Sequence, residues 1–501
     1  MKNNVGRGAF VLVASGLVCK FFGGLFRLPL TNIIGIEGIG VFQMVISIYS
    51  LALIFVSGGV TNALSKLVSS ARARGDYNKI NSYLGWAMAF TLGISGVFAL
   101  IFLLFGGQIA ILQGAREGAL SYLLLALLLP LSGLVGVFRG LLQGYENMTP
   151  TAISQVIQQV AKLGFGLIFA YALAPKGLGM GVFGAFLGMT LSEVFASFYL
   201  GVVTFKRSKV GFEIEAKKEF FTASLPLTFG GAVLPLTHAV EAFAIIPLLT
   251  KSGLSQDSAT ALYGLQTGVV GAILNFPLII SVAVAVSLLP NISYLIGRGE
   301  EKSVRILIEK AFSSMWFLLI PLVFGLIAVC KTLYPIIYPQ TMELYLGVAV
   351  NLTTVVGISI ICTAIMQFLV SILQASGLYN LSMAFHVIGG IAKIGLLFIL
   401  APIGKIGIFS IAISNIVLST IVSACALIKL GGIVKISFFD IALPLLSAFV
   451  MLLVVRIFLA LIGGILGLVL AVVIGMAIYF TLCLPLTFKY FNFFLNKIKR
   501  V

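Results

Sequence analysis

Long apolar runs, each closed by a short polar stretch, recur from one end of the chain to the other. A run of about twenty such residues is what a helix needs to cross the roughly 30 Å hydrocarbon core of a bilayer. The pattern predicts fourteen spans, at 8–29, 38–62, 83–105, 119–143, 152–174, 181–205, 222–249, 258–288, 308–330, 344–372, 381–401, 406–429, 440–461 and 464–487. The expected class is an all-α polytopic membrane protein. The first run is too long for a cleavable signal, holds two cations and meets no A-x-A site, so it is expected to stay as a span.

Charge tests that count. Only 9% of the 501 residues are charged and 60% are hydrophobic, against about 25% charged in soluble proteins. Lys and Arg crowd alternate loops: Lys66 to Lys79, Lys206 to Lys218, Arg298 to Lys310, and both ends of the chain. The other loops hold Arg116, Lys176, Lys251, Lys331 and Lys405. The positive-inside rule then puts both termini in the cytoplasm and the chain in the cell membrane. A net charge of +17 dispersed in this way argues against nucleic acid as a partner. Cys19, Cys330, Cys362, Cys425 and Cys483 fall in apolar runs and form no CxxC pair. They read as packing residues, and no metal site is expected.

The chain also repeats itself. Residues 143–164 lie over 374–395 at one offset, with Lys162 on Lys393, and Arg74-Gly75-Asp76 lies over Arg298-Gly299-Glu300. Laying Pro29 on Pro247 puts Lys20 on His238. Spans 1–6 and 7–12 therefore read as two copies of a six-helix unit in the same orientation, a parallel repeat with two extra C-terminal helices. The predicted divisions are an N-terminal lobe 1–205, a basic cytoplasmic linker and hinge 206–220, a C-terminal lobe 221–430, and two added helices with a basic tail, 431–501. Two repeated lobes about a polar centre is transporter architecture, working by alternating access.

The candidate chemistry begins at Lys20 and Arg27 in the first span. Seven residues are nearly two helical turns, so both side chains share a face, about 10 Å apart. A cation at bilayer depth costs about 2.5–3.5 kcal/mol, and two on one face argue for a wet cavity that takes an anion. The bland alternative is snorkelling to the interface. His238 and Glu241 share a face of span 7 between Pro235 and Pro247, two prolines that predict a kinked or broken helix. Glu241 reads as a counter-ion to Lys20 or Arg27, or as a proton or sodium coupling site; a structural ion pair is the rival. Arg139 is expected at the inner mouth, the run Gln143, Gln155, Gln158 and Gln159 to meet sugars or to bridge helices, and Lys162 in the cavity or capping a neighbouring helix. Glu193 and Arg456 stand isolated. Gly179 to Gly184 fits G-x-G-x-x-G, but it opens a span with no βαβ unit around it; Gly184 and Gly188 read as close helix packing. There is no Walker A sequence, and no catalytic set or cofactor is expected.

Several of these segments together resemble the multidrug/oligosaccharidyl-lipid/polysaccharide (MOP) flippase superfamily, in the polysaccharide-biosynthesis branch of stage V sporulation protein B and the lipid II flippases. They are Lys20-x6-Arg27-Leu28-Pro29-Leu30, Glu37-Gly38-Ile39-Gly40 with Gln43, Ser65-Lys66 before Arg74-Gly75-Asp76, Arg139-x3-Gln143-Gly144, Met148 to Gln155, Tyr263-Gly264 and Leu289 to Ser293. The resemblance implies a MATE-like fourteen-helix flippase, not an enzyme, that moves a polyprenyl-pyrophosphate-linked saccharide across the cytoplasmic membrane. It implies that Lys20 and Arg27 hold the pyrophosphate and that the two extra helices border a groove for the lipid tail. Lipid II is the first expectation. Capsule, exopolysaccharide or teichuronic precursors, and cation or drug antiport, are alternatives within the superfamily. A polyprenyl-lipid glycosyltransferase or ligase would want acidic residues on a large outer loop, which this chain lacks. A non-transporting envelope scaffold has no use for paired intramembrane cations. Coupling to the membrane potential, sodium or protons is expected, with cell-wall or sporulation machinery and membrane lipids as partners.

Overall fold

The structure is a computed structural model that describes residues 2–431 and 437–486, with side chains except at 2–14, 17, 20, 280–282, 285–291 and 293. The motif residues Leu289, Pro290, Asn291 and Ser293 thus have no described side chains, and the basic tail beyond 486 lies outside the described residues. The described residues form helices α1 (Lys2–Leu53), α2 (Gly59–Ala73), α3 (Tyr77–Leu112), α4 (Ala119–Gly144), α5 (Met148–Leu173), α6 (Leu178–Phe205), α7 (Ile214–Lys251), α8 (Gln256–Gly264) and α9 (Gly271–Gly297). They continue with α10 (Glu301–Ile337), α11 (Met342–Ala375), α12 (Tyr379–Leu400), α13 (Phe409–Leu430), α14 (Phe438–Leu461) and α15 (Gly464–Leu482). Short π-helical turns, 54–58 and 265–270, carry α1 into α2 and α8 into α9. Thirteen helical stretches among the described residues are long and apolar enough to cross a membrane. The chain is a multi-pass membrane protein, and the all-α class read from the sequence is borne out.

The thirteen stretches contain fourteen crossings, because the first one turns back on itself. At Gly35 φ is 75° and ψ is 176°, a region of backbone space that is essentially glycine's alone. Along a straight helix Phe26 and Phe42 would stand about 24 Å apart. Their ring centroids are 6.2 Å apart, so the two limbs of α1 pack side by side. The second limb continues through α2, where Thr61 Oγ1 donates to the carbonyl of Gly136 on α4 at 3.0 Å.

Side-chain pairings tie the other helices together. On α3 and α7, Lys79 Nζ lies 3.0 Å from Glu219 Oε1, and Phe90 meets Phe221 at 5.4 Å. These helices run parallel, as single crossings by α4, α5 and α6 require. On α10 and α14, Ser313 Oγ donates to Asp440 Oδ2 at 3.0 Å, and Arg456 Nη2 donates to the Ile327 carbonyl at 3.3 Å; these too run parallel. Tyr479 on α15 donates back to the Phe317 carbonyl at 2.8 Å, which ties the last helix to α10 in the opposite direction.

The segment before α7 is strapped to α3. Gly211 N donates to the Asn81 carbonyl at 3.0 Å, Lys209 N to Asn81 Oδ1 at 2.9 Å, and Trp86 Nε1 to the Glu213 carbonyl at 2.9 Å. The prolines of α7 do not break it: the helix runs from Ile214 to Lys251 through Pro226, Pro235 and Pro247, so of the kinked or broken helix expected there the break is absent. Proline removes one i→i−4 bond at each place, and the packed neighbours hold the axis without it.

The repeated segments close their helices in the same way. Asp76 N bonds to Ala71 O at 3.0 Å, and Glu300 N to Leu295 O at 3.1 Å. Asn147 N bonds to Leu142 O at 3.0 Å, and Leu378 N to Leu373 O at 2.9 Å. This is the 6→1 bond of a Schellman turn. By contact, the chain divides into one unit of residues 1–269 with 394–408 and another of 270–393 with 409–501.

Candidate functional site

Close packing of α5 on α6 builds the polar centre of the first unit. A Cβ on Gly188 would stand 2.2 Å from the backbone N of Gly166, and one on Gly184 would stand 2.4 Å from the carbonyl oxygen of Phe169. The two glycines therefore act as the packing positions expected of them, and the backbones touch. That contact brings Gln158 on α5 against Glu193 on α6.

From there a chain of hydrogen bonds crosses three helices. Gln158 Nε2 donates to Glu193 Oε1 at 2.5 Å. Gln158 Oε1 accepts from Arg139 Nη2 of α4 at 2.9 Å, and Arg139 Nε donates to Ser154 Oγ at 3.1 Å. The amide is satisfied on both sides and joins a guanidinium to a buried carboxylate. Buried polar groups need such complete bonding. Tyr49, on the second limb of α1, shares a 2.8 Å bond with Ser132 of α4. Ser15 on the first limb donates to Gln155 Oε1 at 2.7 Å.

Lys162 lies one turn further along α5. Its Nζ sits 4.9 Å from the ring centroid of Phe26, a cation–π contact. The charges acting on it are Arg27 of α1 and Glu193. Arg27 is half-buried, and its own carbonyl accepts from Thr31 Oγ1 at 2.9 Å. Among the described residues this centre gathers three cations, Arg27, Arg139 and Lys162, around one carboxylate, Glu193.

The residues expected from the sequence divide as follows. Arg27, Arg139 and Lys162 come together here. Gln143 follows Arg139 by one turn and is half-buried at the end of α4. Lys20 lies in α1, seven residues before Arg27, with its side chain outside the described residues. His238 is exposed on α7. Glu241 is buried on the same helix, and its charge acts on the phenol of Tyr263, just C-terminal in the same unit. Gln158 takes the helix-bridging role that the glutamine run offered, whereas Glu193 stands isolated in the sequence and Ser154, Tyr49 and Ser132 carry no signal there. Their meeting depends on which faces of α4, α5 and α6 oppose one another. The run of glutamines between 143 and 159 was the one signal pointing there. Among the described residues no three of His, Cys, Asp or Glu gather as metal ligands would.

Comparison with known proteins agrees with this architecture. Residues 5–296 match the polysaccharide biosynthesis protein family. Stage V sporulation protein B of Bacillus subtilis (strain 168) is 28% identical over 447 residues, covering 84% of this chain and 83% of that protein. The lipid II flippase MurJ of the same organism is 25% identical over 373 residues, covering 68% and 66%. A solved structure, lipid II flippase MurJ in an inward closed conformation, superposes with a TM-score of 0.75 at 14% identity, covering 96% of this chain and all of that one (100%).

Proposed function

The chain belongs to the polysaccharide biosynthesis protein family, and from that premise we propose that it is a flippase for a polyprenyl-pyrophosphate-linked saccharide, with lipid II as the substrate. The superfamily resemblance seen in the sequence is borne out by the family, by the relatives and by the shared fold. The observation that carries the reading is the excess of charge in the polar centre. Arg139 and Lys162 share one carboxylate, and Arg27 acts on Lys162 beside them, leaving two positive charges in excess at membrane depth. A diphosphate diester brings two negative charges. Each cation alone costs about 2.5–3.5 kcal/mol at the bilayer centre, and a pyrophosphate offsets that cost where water cannot.

In this reading Arg27 and Lys162, with Lys20, hold the pyrophosphate. Arg139 is the cation already committed to Gln158 and Ser154, so it shapes the site more than it binds. Glu193 keeps the empty site from carrying three unbalanced charges. Gln143 offers hydrogen bonds to the saccharide at the inner mouth. His238 and Glu241 serve the same pathway from α7. The substrate moves from the inner to the outer leaflet of the cytoplasmic membrane by alternating access, with both termini cytoplasmic. No nucleotide is used.

The test is reconstitution of the full chain in liposomes with fluorescent lipid II, comparing wild type with Arg27→Ala and Lys162→Ala after both variants are shown to fold. Wild type should flip the lipid and both variants should lose most of the rate. If wild type is inert on lipid II but flips another polyprenyl-linked saccharide, the substrate assignment fails and the mechanism stands. Full activity in both variants would remove the polar centre from the mechanism.

A further inference from the structure

The second unit holds a cavity of about 490 Å³ among α10, α11 and α14. That is the size of a small-ligand site. Its wall is amphiphilic. Ile327, Val350 and Leu459 line the apolar side, and Lys331, Thr332 and Arg456 the polar side. Among the described residues no carboxylate lines it.

Its depth in the membrane follows from helix geometry. Lys310 and Lys331 lie twenty-one residues apart on one uninterrupted helix, which is about 32 Å. That matches the roughly 30 Å hydrocarbon thickness, so each marks one face of the bilayer. Arg298, Lys302, Arg305 and Lys310 crowd one end of this crossing. Lys331 therefore belongs to the outer face by the positive-inside rule. Arg456 contacts the carbonyl of Ile327, one turn deeper than Lys331.

Neither Arg456 nor Lys331 makes an ion pair among the described residues. Arg456 gives one long bond to a backbone carbonyl, which uses one of its five N–H donors. A guanidinium fork beside an ammonium and a hydroxyl is suited to phosphate oxygens. Beside the cavity, Ile457 and Leu461 of α14 stand 64% and 80% exposed, an apolar flank along which acyl chains can lie.

We propose that this cavity binds the phosphate of an anionic membrane lipid in the outer leaflet. The phosphate sits between Arg456 and Lys331, and the glycerol packs against Ile327, Val350 and Leu459. This site is independent of the flipping reaction, and its test does not read flipping.

The experiment counts lipids bound to the delipidated full chain by native mass spectrometry as phosphatidylglycerol is added. Phosphatidylcholine and inorganic phosphate serve as the other probes. Wild type should retain one phosphatidylglycerol in preference to phosphatidylcholine. The double variant Lys331→Gln/Arg456→Gln should weaken that binding at least about tenfold, the scale of losing a charge-assisted bond. Lys331→Arg/Arg456→Lys should keep it. Val350→Phe fills the cavity without touching either charge and should also abolish it. Unchanged phosphatidylglycerol binding in both the glutamine and the phenylalanine variants would overturn the proposal. So would displacement of the lipid by an equal concentration of inorganic phosphate, which would make the site one for the free anion.

Discussion

Glu193 is the carboxylate that Arg139 and Lys162 share, and its neutral isostere gives the sharpest test at the scale of one residue. Removing one partner of a buried charge pair costs about 3–5 kcal/mol. Glu193→Gln should therefore lower the thermal midpoint clearly, while Glu193→Gln combined with Arg139→Gln should lose less than the two single changes summed. Additive losses would show that Arg139 and Glu193 act apart, despite the amide of Gln158 between them. How far this site was legible follows from the same geometry. The i, i+7 spacing of Lys20 and Arg27 is a property of one helix, and periodicity reveals it. The bond from Gln158 to Glu193 spans 35 positions and two helices. A sequence specifies the faces of each helix but not which face another helix meets. Glu193 could be seen to be buried and charged; its partners could not be seen.

At the scale of helices, glycines divide into those that touch a neighbour and those that do not, and the contrast makes a prediction. Gly188 has the backbone of Gly166 where a side chain would go, whereas a Cβ on Gly164 meets nothing within 4 Å. Gly164→Ala should be neutral or should stabilise α5 by up to about 1 kcal/mol. Gly188→Ala should separate α5 from α6, pull Gln158 from Glu193, and lower both stability and transport. Thermal unfolding of the purified variants checks the pair, and equal behaviour would mean that the helix contact is slack. Gly35→Ala should cost about 1–3 kcal/mol, because its backbone conformation excludes a side chain; a chemical unfolding titration reads it, and no loss would mean that the turn relaxes. The sequence shows that spans 1 and 2 are separate, and it shows Gly184 and Gly188 as packing positions. It does not show that helix continues to both sides of Gly35, because the polarity of residues 31–37 resembles a loop. Pro235 and Pro247, which offered a kink or a break in α7, leave the helix unbroken, since neighbouring helices can carry a helix past a proline.

For the whole molecule, the proposed substrate makes transport a movement of charge. A headgroup carrying two negative charges gains about 4.6 kcal/mol per 100 mV when it moves outward down an inside-negative potential. Flipping in liposomes with an imposed potassium diffusion potential should accelerate at inside-negative voltage, and a rate indifferent to voltage would rule this drive out. The repeated turns were legible at this scale because their sequence recurs. The Schellman closures at 76 and 300, and at 147 and 378, sit where the repeated sequence places them. The hairpin at Gly35 also bears on biogenesis. As the ribosome delivers the chain, the translocon meets first a limb burdened by Lys20 and Arg27, which on its scale disfavours partition by about 2.5–3.5 kcal/mol per cation. The limb that follows, to Asn62, carries only Glu37 as a charge. The first crossing should therefore enter the lipid only as half of a pair, drawn in by the second. A reporter fused after residue 35 should show poor integration and one fused after residue 73 efficient integration, so that the cations of the first limb are carried into the membrane by their neighbour.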